Sequence, residues 1–356
     1  MALVLHVDGP RWREHLARTV ATHPGLVPVA KGNGYGFGLE RLVAEGARLH
    51  GSAGVDMLAV GTYAEAPVAL EGFPGDVLVM EPYRPVLHAG LAHLDSPALV
   101  HTIASRTDLA DLTDLAGRTS GTGRTSGTGR PRVVLEGLTS MNRHGMSAEE
   151  LSECAVAPAG ADLVGGTLHF PLGEGHVHEM DRWLECADFG TWFVSHLTDR
   201  ELRTLRSTNT DRVFRPRIGT ELWLGDPGAL SVRGQVLDVR AVHAGDRAGY
   251  RQRRLKAGYL VVVSGGTAQG VALEAPTAAS TPRQRAVAVA EGVLEAAGRV
   301  RSPFTIGGRR TWFVEPPHMQ VSLLCLPEGA APPKVGDEVE VRVRHTTLHA
   351  DAVVVS

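Results

Sequence analysis

Cysteine is scarce in this chain. Cys154, Cys186 and Cys325 are the only three among 356 residues, and they are widely separated in apolar surroundings. An odd, sparse set argues against a disulfide framework and for a reducing compartment. A dominant charge of one sign is also missing. The net charge of −3 gives no electrostatic footing for nucleic acid or an anionic membrane. No apolar run reaches the roughly 20 residues of a membrane helix. The opening Met1-Ala-Leu-Val-Leu-His-Val-Asp8 has no basic segment followed by a long apolar core, so it does not read as a signal peptide. The expected setting is the cytoplasm, with neither nucleic acid nor membrane as partner. What is present is ordinary globular composition, 43% hydrophobic and 21% charged, in a chain long enough for two domains.

The most informative stretch is Val27-Pro-Val-Ala-Lys-Gly-Asn-Gly-Tyr-Gly-Phe-Gly38. A short apolar run ends in Lys31, glycines alternate through the next seven residues, and a helical pattern follows from Leu39. This spacing predicts strand, lysine, glycine-rich turn, helix. A lysine at the C-terminal end of a strand points to where parallel α/β folds keep their active sites. Partial desolvation there eases loss of its proton and makes Lys31 a candidate Schiff-base nucleophile.

From Val27 the chain keeps a beat. Apolar runs at 27–30, 57–60, 76–80, 98–103, 132–138, 163–168, 191–195 and 213–217 alternate with helical patterns. Eight such units predict a (β/α)8 barrel, with an open doubly wound sheet as the other arrangement of the same elements. Arg118-Thr-Ser-Gly-Thr-Gly is repeated at once as 124–129, a tandem expected to be a flexible insertion without chemistry. After residue 226 strand-like runs predominate, interrupted by one helical pattern over 283–297. The boundary therefore divides a barrel domain, 1–226, from a C-terminal β domain, 227–356.

Chemistry-bearing residues follow several barrel strands. Strand five delivers Thr139-Ser-Met-Asn-Arg-His-Gly145, strand six His169, strand seven Ser195-His196 and strand eight Arg217-Ile-Gly-Thr220. Singly, such a histidine or arginine is usually structural or solvated. Together with Lys31, at the same ends of different strands, they make a site.

The Lys31–Tyr35 stretch resembles the pyridoxal-phosphate lysine motif of the alanine racemase family, and the other motifs can be set beside it. The resemblance covers nearly the whole chain and implies a barrel followed by a β domain, with residues 2–7 joining the latter. It implies that Lys31 holds pyridoxal 5'-phosphate covalently, while Tyr35, Ser195, Gly219 and Thr220 hold the phosphate. Met141-Asn-Arg-His-Gly145 resembles the motif whose arginine fixes substrate or cofactor oxygens, here Arg143. Arg217-Ile-Gly-Thr-Glu-Leu-Trp-Leu-Gly225 resembles the segment whose arginine faces the pyridine nitrogen, here Arg217. Ala244-Gly-Asp-Arg-Ala-Gly-Tyr250 resembles the segment carrying a second base, Tyr250, which the family delivers to the partner subunit of a homodimer, with His169 as its helper. The implied activity is interconversion of L- and D-alanine or a related amino acid by two bases, Lys31 and Tyr250.

Several family positions differ. Glu136 stands where a modified lysine steadies the substrate arginine, and Leu138 replaces an aspartate. Thr267 replaces an entrance tyrosine. Met319-Gln320-Val321 replaces Met-Asp-Gln, which keeps Met319 on the substrate side but removes an acid. The sequence ends at Ser356 without a counterpart of the family's tail tyrosine. These changes leave two alternatives open. One is a D-amino-acid aldolase or dehydratase of the same fold with a metal at His349 and Asp351. The other is a pyridoxal-phosphate-binding protein of low turnover. No metal is assigned to His169, Glu174, His176 and His178, despite their closeness in sequence.

Overall fold

The computed structural model describes residues 2–120, 130–158, 160–273 and 300–356. The chain divides into two compact units. One comprises Glu14–Gly34 and Gly38–Gly225, and the other Met1–Arg13, Tyr35–Phe37 and Asp226–Ser356.

The first strand, β1 (Leu3–Val7), belongs to the second unit. The next eight form the barrel: β2 (Val27–Pro28), β3 (Met57–Val60), β4 (Asp76–Pro82), β5 (Leu99–Ile103), β6 (Arg132–Gly137), β7 (Asp162–His169), β8 (Thr191–Ser195) and β9 (Val213–Ile218). Neighbours pair in parallel in chain order from β3 to β9, and β9 pairs with β2. A parallel bridge between Val29 and Ala59 joins β2 to β3 and closes the ring. The open-sheet arrangement is thereby excluded.

Alternation along the strands decides what faces inward. Val27, Val29, Met57, Ala59, Leu78, Val100, Val134 and Phe193 form one buried cluster, with Met80 and Val164 packed on it. Each fully buried side chain of this size contributes about 1.5–3 kcal/mol relative to exposure. Strand side chains two residues apart share a face. Lys31, Glu136 and Ser195 each lie two residues beyond a member of that cluster, so the core's own period aims them at the barrel's C-terminal end.

Helices fill the crossovers, and their caps are local. Thr198 opens Asp199–Thr208 with a capping box: its hydroxyl accepts from the Glu201 N–H at 3.3 Å, and Glu201 Oε2 accepts from the Thr198 N–H at 2.8 Å. The other oxygen of Glu201 accepts from the N–H groups of Gly175 and His176, both at 2.8 Å. One buried carboxylate so ties the loop after β7 to the loop after β8. Among the described residues, no helix is long and apolar enough to cross a membrane.

The second unit is antiparallel in the main. It contains β10 (Leu230–Val242), β11 (Arg247–Ala248), β12 (Arg253–Arg254), β13 (Gly258–Ser264), β14 (Arg301–Ile306), β15 (Arg309–Phe313), β16 (Val321–Pro327), β17 (Glu338–Val341) and β18 (Ala352–Val355). The order β13-β16-β15-β14-β17-β10 is closed by pairing of β13 with β10. The amino-terminal β1 lies antiparallel to β10 and parallel to β18.

Strand β14 escaped the pattern because Pro303 interrupts it; the β14–β15 ladder has a register shift between Arg301 and Thr305, the irregular ground on which proline is tolerated. The helix Arg106–Ser120 runs into the first copy of the tandem repeat, which was expected to be wholly irregular. Residues 121–129, and the helix expected over 283–297, lie outside the described residues.

Candidate active site

The barrel unit brings Lys31, Arg143, His169 and Arg217 together. Their mutual influence is electrostatic: the charges of Arg143 and Arg217 both act on Lys31 and on His169. Lys31 is solvent-accessible, yet crowding by protein lowers its pKa; the two arginines lower it further, and Glu65 opposes them. Glu65 also fixes the loop. Its carboxylate accepts from the N–H groups of Gly32 at 2.6 Å, Gly61 at 2.7 Å and Thr62 at 3.1 Å. The lysine's backbone is thereby held independently of its side chain.

Arg217 is buried at the end of β9. Its Nη2 donates to the Leu168 carbonyl at 2.9 Å, while Nε has no hydrogen-bond partner among the described residues. Burial lowers its pKa to about 10, with Glu136 opposing and Arg143 assisting, so it remains a cation at neutral pH. A buried N–H left without an acceptor costs about 1–3 kcal/mol. At the mouth of a barrel such an N–H is free to donate to a ligand's acceptor.

Half-buried His169 has its pKa lowered to about 3, first by burial and then by Arg217, Arg143, His196 and Lys31. It is therefore a neutral imidazole at physiological pH. Ser195 is its neighbour in the β7–β8 register and is buried. Gly219 and Thr220 follow two and three residues after Arg217, and Thr220 opens the short helix Thr220–Leu224. Trp223 in that helix donates its indole N–H to the Val29 carbonyl at 2.8 Å, linking it to the strand that delivers Lys31.

The Arg143 loop folds back on its strand. The Met146 N–H donates to the Glu136 carbonyl at 2.7 Å, and the Leu138 N–H to the Met146 carbonyl at 2.8 Å. Gly145 makes this return possible: its φ is +137°, and a Cβ would lie 2.5 Å from the Gly137 carbonyl carbon. The return brings His144 Nδ1 to 2.8 Å from Glu136 Oε2. Glu136, 2% exposed, was expected to steady Arg143; its hydrogen-bond partner is His144, and its charge acts on Arg217. Arg143 is exposed and makes no hydrogen bond among the described residues.

Three residues without an assigned role in the sequence reading join the site. Glu65 was signalled by the Thr62-Tyr-Ala-Glu65 spacing of a helix start. His144 lies inside the arginine motif. His196 has a φ of +66°, unusual for a residue with a side chain, and its Nδ1 is 2.8 Å from the Phe170 carbonyl. Its ring meets that of His169 edge-on at 4.8 Å between centroids.

The remaining expected residues lie in the second unit. Tyr35 is buried, with a φ of +54°. Tyr250 and Met319 are 85% and 73% exposed, and Thr267 and Gln320 are also exposed. The Asp351 carboxylate is engaged in the fold: Oδ2 accepts from the Leu3 N–H at 2.7 Å, and Oδ1 from Gln269 Nε2 at 3.4 Å. Among the described residues no group of three His, Cys, Asp or Glu side chains is gathered to hold a metal.

A sequence profile described as "Alanine racemase, N-terminal domain" matches residues 10–223, most of the chain and nearly all of the barrel unit. The chain belongs to the alanine racemase family. Its fold matches alanine racemase structures over almost their full length. The enzyme from E. faecalis aligns with a TM-score of 0.69 and 17% identity, over 100% of this chain and 98% of that one. The enzyme from Bartonella henselae, solved with covalently bound pyridoxal phosphate, aligns at 0.67 and 19%, covering 97% and 91%. The biosynthetic enzyme from Pseudomonas aeruginosa aligns at 0.61 and 21%, also covering 97% and 91%. No curated protein matches the chain. At these identities the likeness to solved structures establishes the fold.

The histidines give this alanine racemase family barrel a measurable pH dependence. Fully buried His101 is lowered to about 4, chiefly by burial, and His169 to about 3. Between the ordinary value of 6.5 and these values, the unfolded chain binds protons that the folded barrel refuses. Stability is therefore full above pH 6.5 and falls as the pH drops toward 4. Unfolding midpoints between about pH 6.5 and 5, above the carboxylate range, should fall with a slope approaching two protons per chain from these two rings. His93, His196 and His345, which burial also shifts down, add a further contribution. His101→Gln should remove one of those protons. A flat profile would contradict the burial of both neutral rings.

Proposed function

We propose that this protein is a pyridoxal 5'-phosphate-dependent amino-acid racemase, interconverting the L and D forms of alanine or a related amino acid. The observation that carries this reading is the cluster at the barrel mouth: an amine with a depressed pKa, a buried arginine with a free Nε–H, and a neutral histidine. These residues fit the cofactor. Lys31 would hold it covalently, and Arg217 Nε would meet the pyridine nitrogen as a donor. Gly219, Thr220, Ser195 and Tyr35 would hold the phosphate. When bound, the cofactor withdraws electrons from the substrate's α-carbon and so acidifies its α-hydrogen.

The chain's own groups then divide the work. Arg143, a planar fork without a protein acceptor, binds the substrate carboxylate. Lys31 and Tyr250 would be the two bases that take and return the α-proton. His169, made too weak a base to take that proton by burial and its cationic neighbours, would orient the phenol of Tyr250. Glu136 and His144 hold the base of the Arg143 loop, and Met319 lines the substrate side. The working unit is a cytoplasmic homodimer in which Tyr250 serves the partner's barrel. Thr267 and Gln320, smaller or uncharged where the family has tyrosine and aspartate, open the entrance. Alanine is then handled slowly and larger amino acids are tolerated.

The test is chiral analysis of a panel of L- and D-amino acids in deuterium oxide with the cofactor-loaded protein. The expected result is slow inversion of alanine, faster inversion of at least one larger amino acid, and deuterium at the α-carbon of the product. Absence of both inversion and α-deuteration across the panel would overturn the proposal.

A further inference from the structure

Tyr250 sits in the turn between β11 and β12, and that turn is wrapped around a carboxylate. The Tyr250 N–H donates to Glu315 Oε1 at 3.0 Å, and the Arg251 N–H to Oε2 at 3.3 Å. Gly249, with a φ of +77°, lies so close that a Cβ there would run into the Glu315 carboxylate. Gln252 completes the turn, its N–H donating to the Gly249 carbonyl at 3.1 Å. Glu315 itself is only 4% exposed.

The same carboxylate holds a histidine. His318 Nε2 is 2.7 Å from Glu315 Oε1. Pro316 and Pro317 stiffen the chain between them. The His318 backbone is fixed on both sides: its N–H donates to the Val321 carbonyl, and its carbonyl accepts from the Thr267 N–H, both at 2.9 Å. The Tyr250 ring packs on the His318 ring, with centroids 4.6 Å apart and a tilt of 40°. An 85% exposed tyrosine is thus supported twice, through its backbone and through one face of its ring. Burial would raise the pKa of Glu315. The hydrogen bonds from His318, Tyr250 and Arg251 outweigh it and hold that pKa below the ordinary range, so the anchor stays charged at neutral pH.

A tie for the turn alone needs only the backbone contacts. The ring contact has a different consequence, because it restricts where the phenol of an otherwise solvent-exposed side chain can point. We propose that Glu315 and His318 are positioning residues for Tyr250, together fixing the direction in which its hydroxyl is presented for proton transfer. The inference rests on the reading of Tyr250 as the second base. It assigns to this chain a buried carboxylate–histidine support at the loop where Gln320 replaces the family's acid.

The experiment compares Glu315→Ala, Glu315→Gln and His318→Ala with Tyr250→Phe in the cofactor-loaded protein. It reads kcat, KM, the cofactor's absorbance, and amide hydrogen exchange of the turn 247–254. Glu315→Ala and His318→Ala should lower kcat by about 10- to 100-fold, because small misplacements of a reacting group are costly. KM and absorbance should be nearly unchanged. Exchange at Tyr250 and Arg251 should accelerate in Glu315→Ala. Glu315→Gln, which keeps one carbonyl acceptor, should fall between wild type and Glu315→Ala. His318→Ala, at the edge of the cluster, keeps the test valid if the buried substitution impairs folding. Unchanged kcat in both alanine variants, with Tyr250→Phe inactive, would overturn the positioning role alone. A fully active Tyr250→Phe would instead remove the reading of Tyr250, and this inference with it.

Discussion

Lys31→Ala is expected to lower turnover by about 10,000-fold or more, since in the proposed mechanism Lys31 is both the covalent nucleophile and a base, and the substitution removes two roles at once. The fold should be indifferent. The loop is held by Glu65 through the backbone N–H groups of Gly32, Gly61 and Thr62, and the Lys31 side chain has no hydrogen bond among the described residues. The unfolding midpoint should therefore stay within error of wild type. In the proposed dimer the variant also has a second use. Mixing Lys31→Ala with Tyr250→Phe subunits should restore activity, because each heterodimer then contains one site with both bases intact. Verified heterodimers that stay inactive would place Tyr250 outside its partner's site.

Arg217→Met is the second large effect, and it acts on stability and chemistry together. Arg217 and Glu136 are both buried, and the carboxylate's charge partly offsets the cost of burying the arginine. Its removal loses the hydrogen bond to the Leu168 carbonyl and leaves the carboxylate buried with less compensation, so stability should fall by about 1–3 kcal/mol. His144 then remains as the hydrogen-bond partner of Glu136. Adding Glu136→Gln should recover much of that stability, since the uncompensated carboxylate is gone. It should not recover turnover, which falls about 100- to 1,000-fold on loss of a preorganised donor. The His169 pKa, about 3 in the wild type, should rise in Arg217→Met but stay below 6.5, because burial is its larger cause. Additive stability losses in the double variant, or an unmoved His169 titration, would contradict the coupling.

Much of the barrel was legible because its elements carry period. The run 57–60 coincides with β3 and 191–195 with β8, and both are bounded by turn residues and helical patterns. Strand β14 was not legible, since Pro303 reads as a break until the irregular ladder around it is known. At the site, the arginines and histidines at strand ends were visible as residue types. Their states were not. The neutrality of His169 arises from burial and from cations on other strands, and no local spacing encodes it. The Glu136–His144 bond depends on a backbone return that needs Gly145 at positive φ, so it emerges only once the loop is folded. Glu315 and His318 were hidden for the same reason: their partner, the turn at Tyr250, lies 65 residues earlier in the chain.

The central claim is that Lys31 is the cofactor lysine. It is tested most directly by incubating the protein with pyridoxal 5'-phosphate, reducing with borohydride and mapping the modified peptide by mass spectrometry. The account predicts a yellow protein before reduction and a single stable phosphopyridoxyl adduct on Lys31, absent from Lys31→Ala. No adduct, or an adduct on another lysine retained in Lys31→Ala, would contradict it.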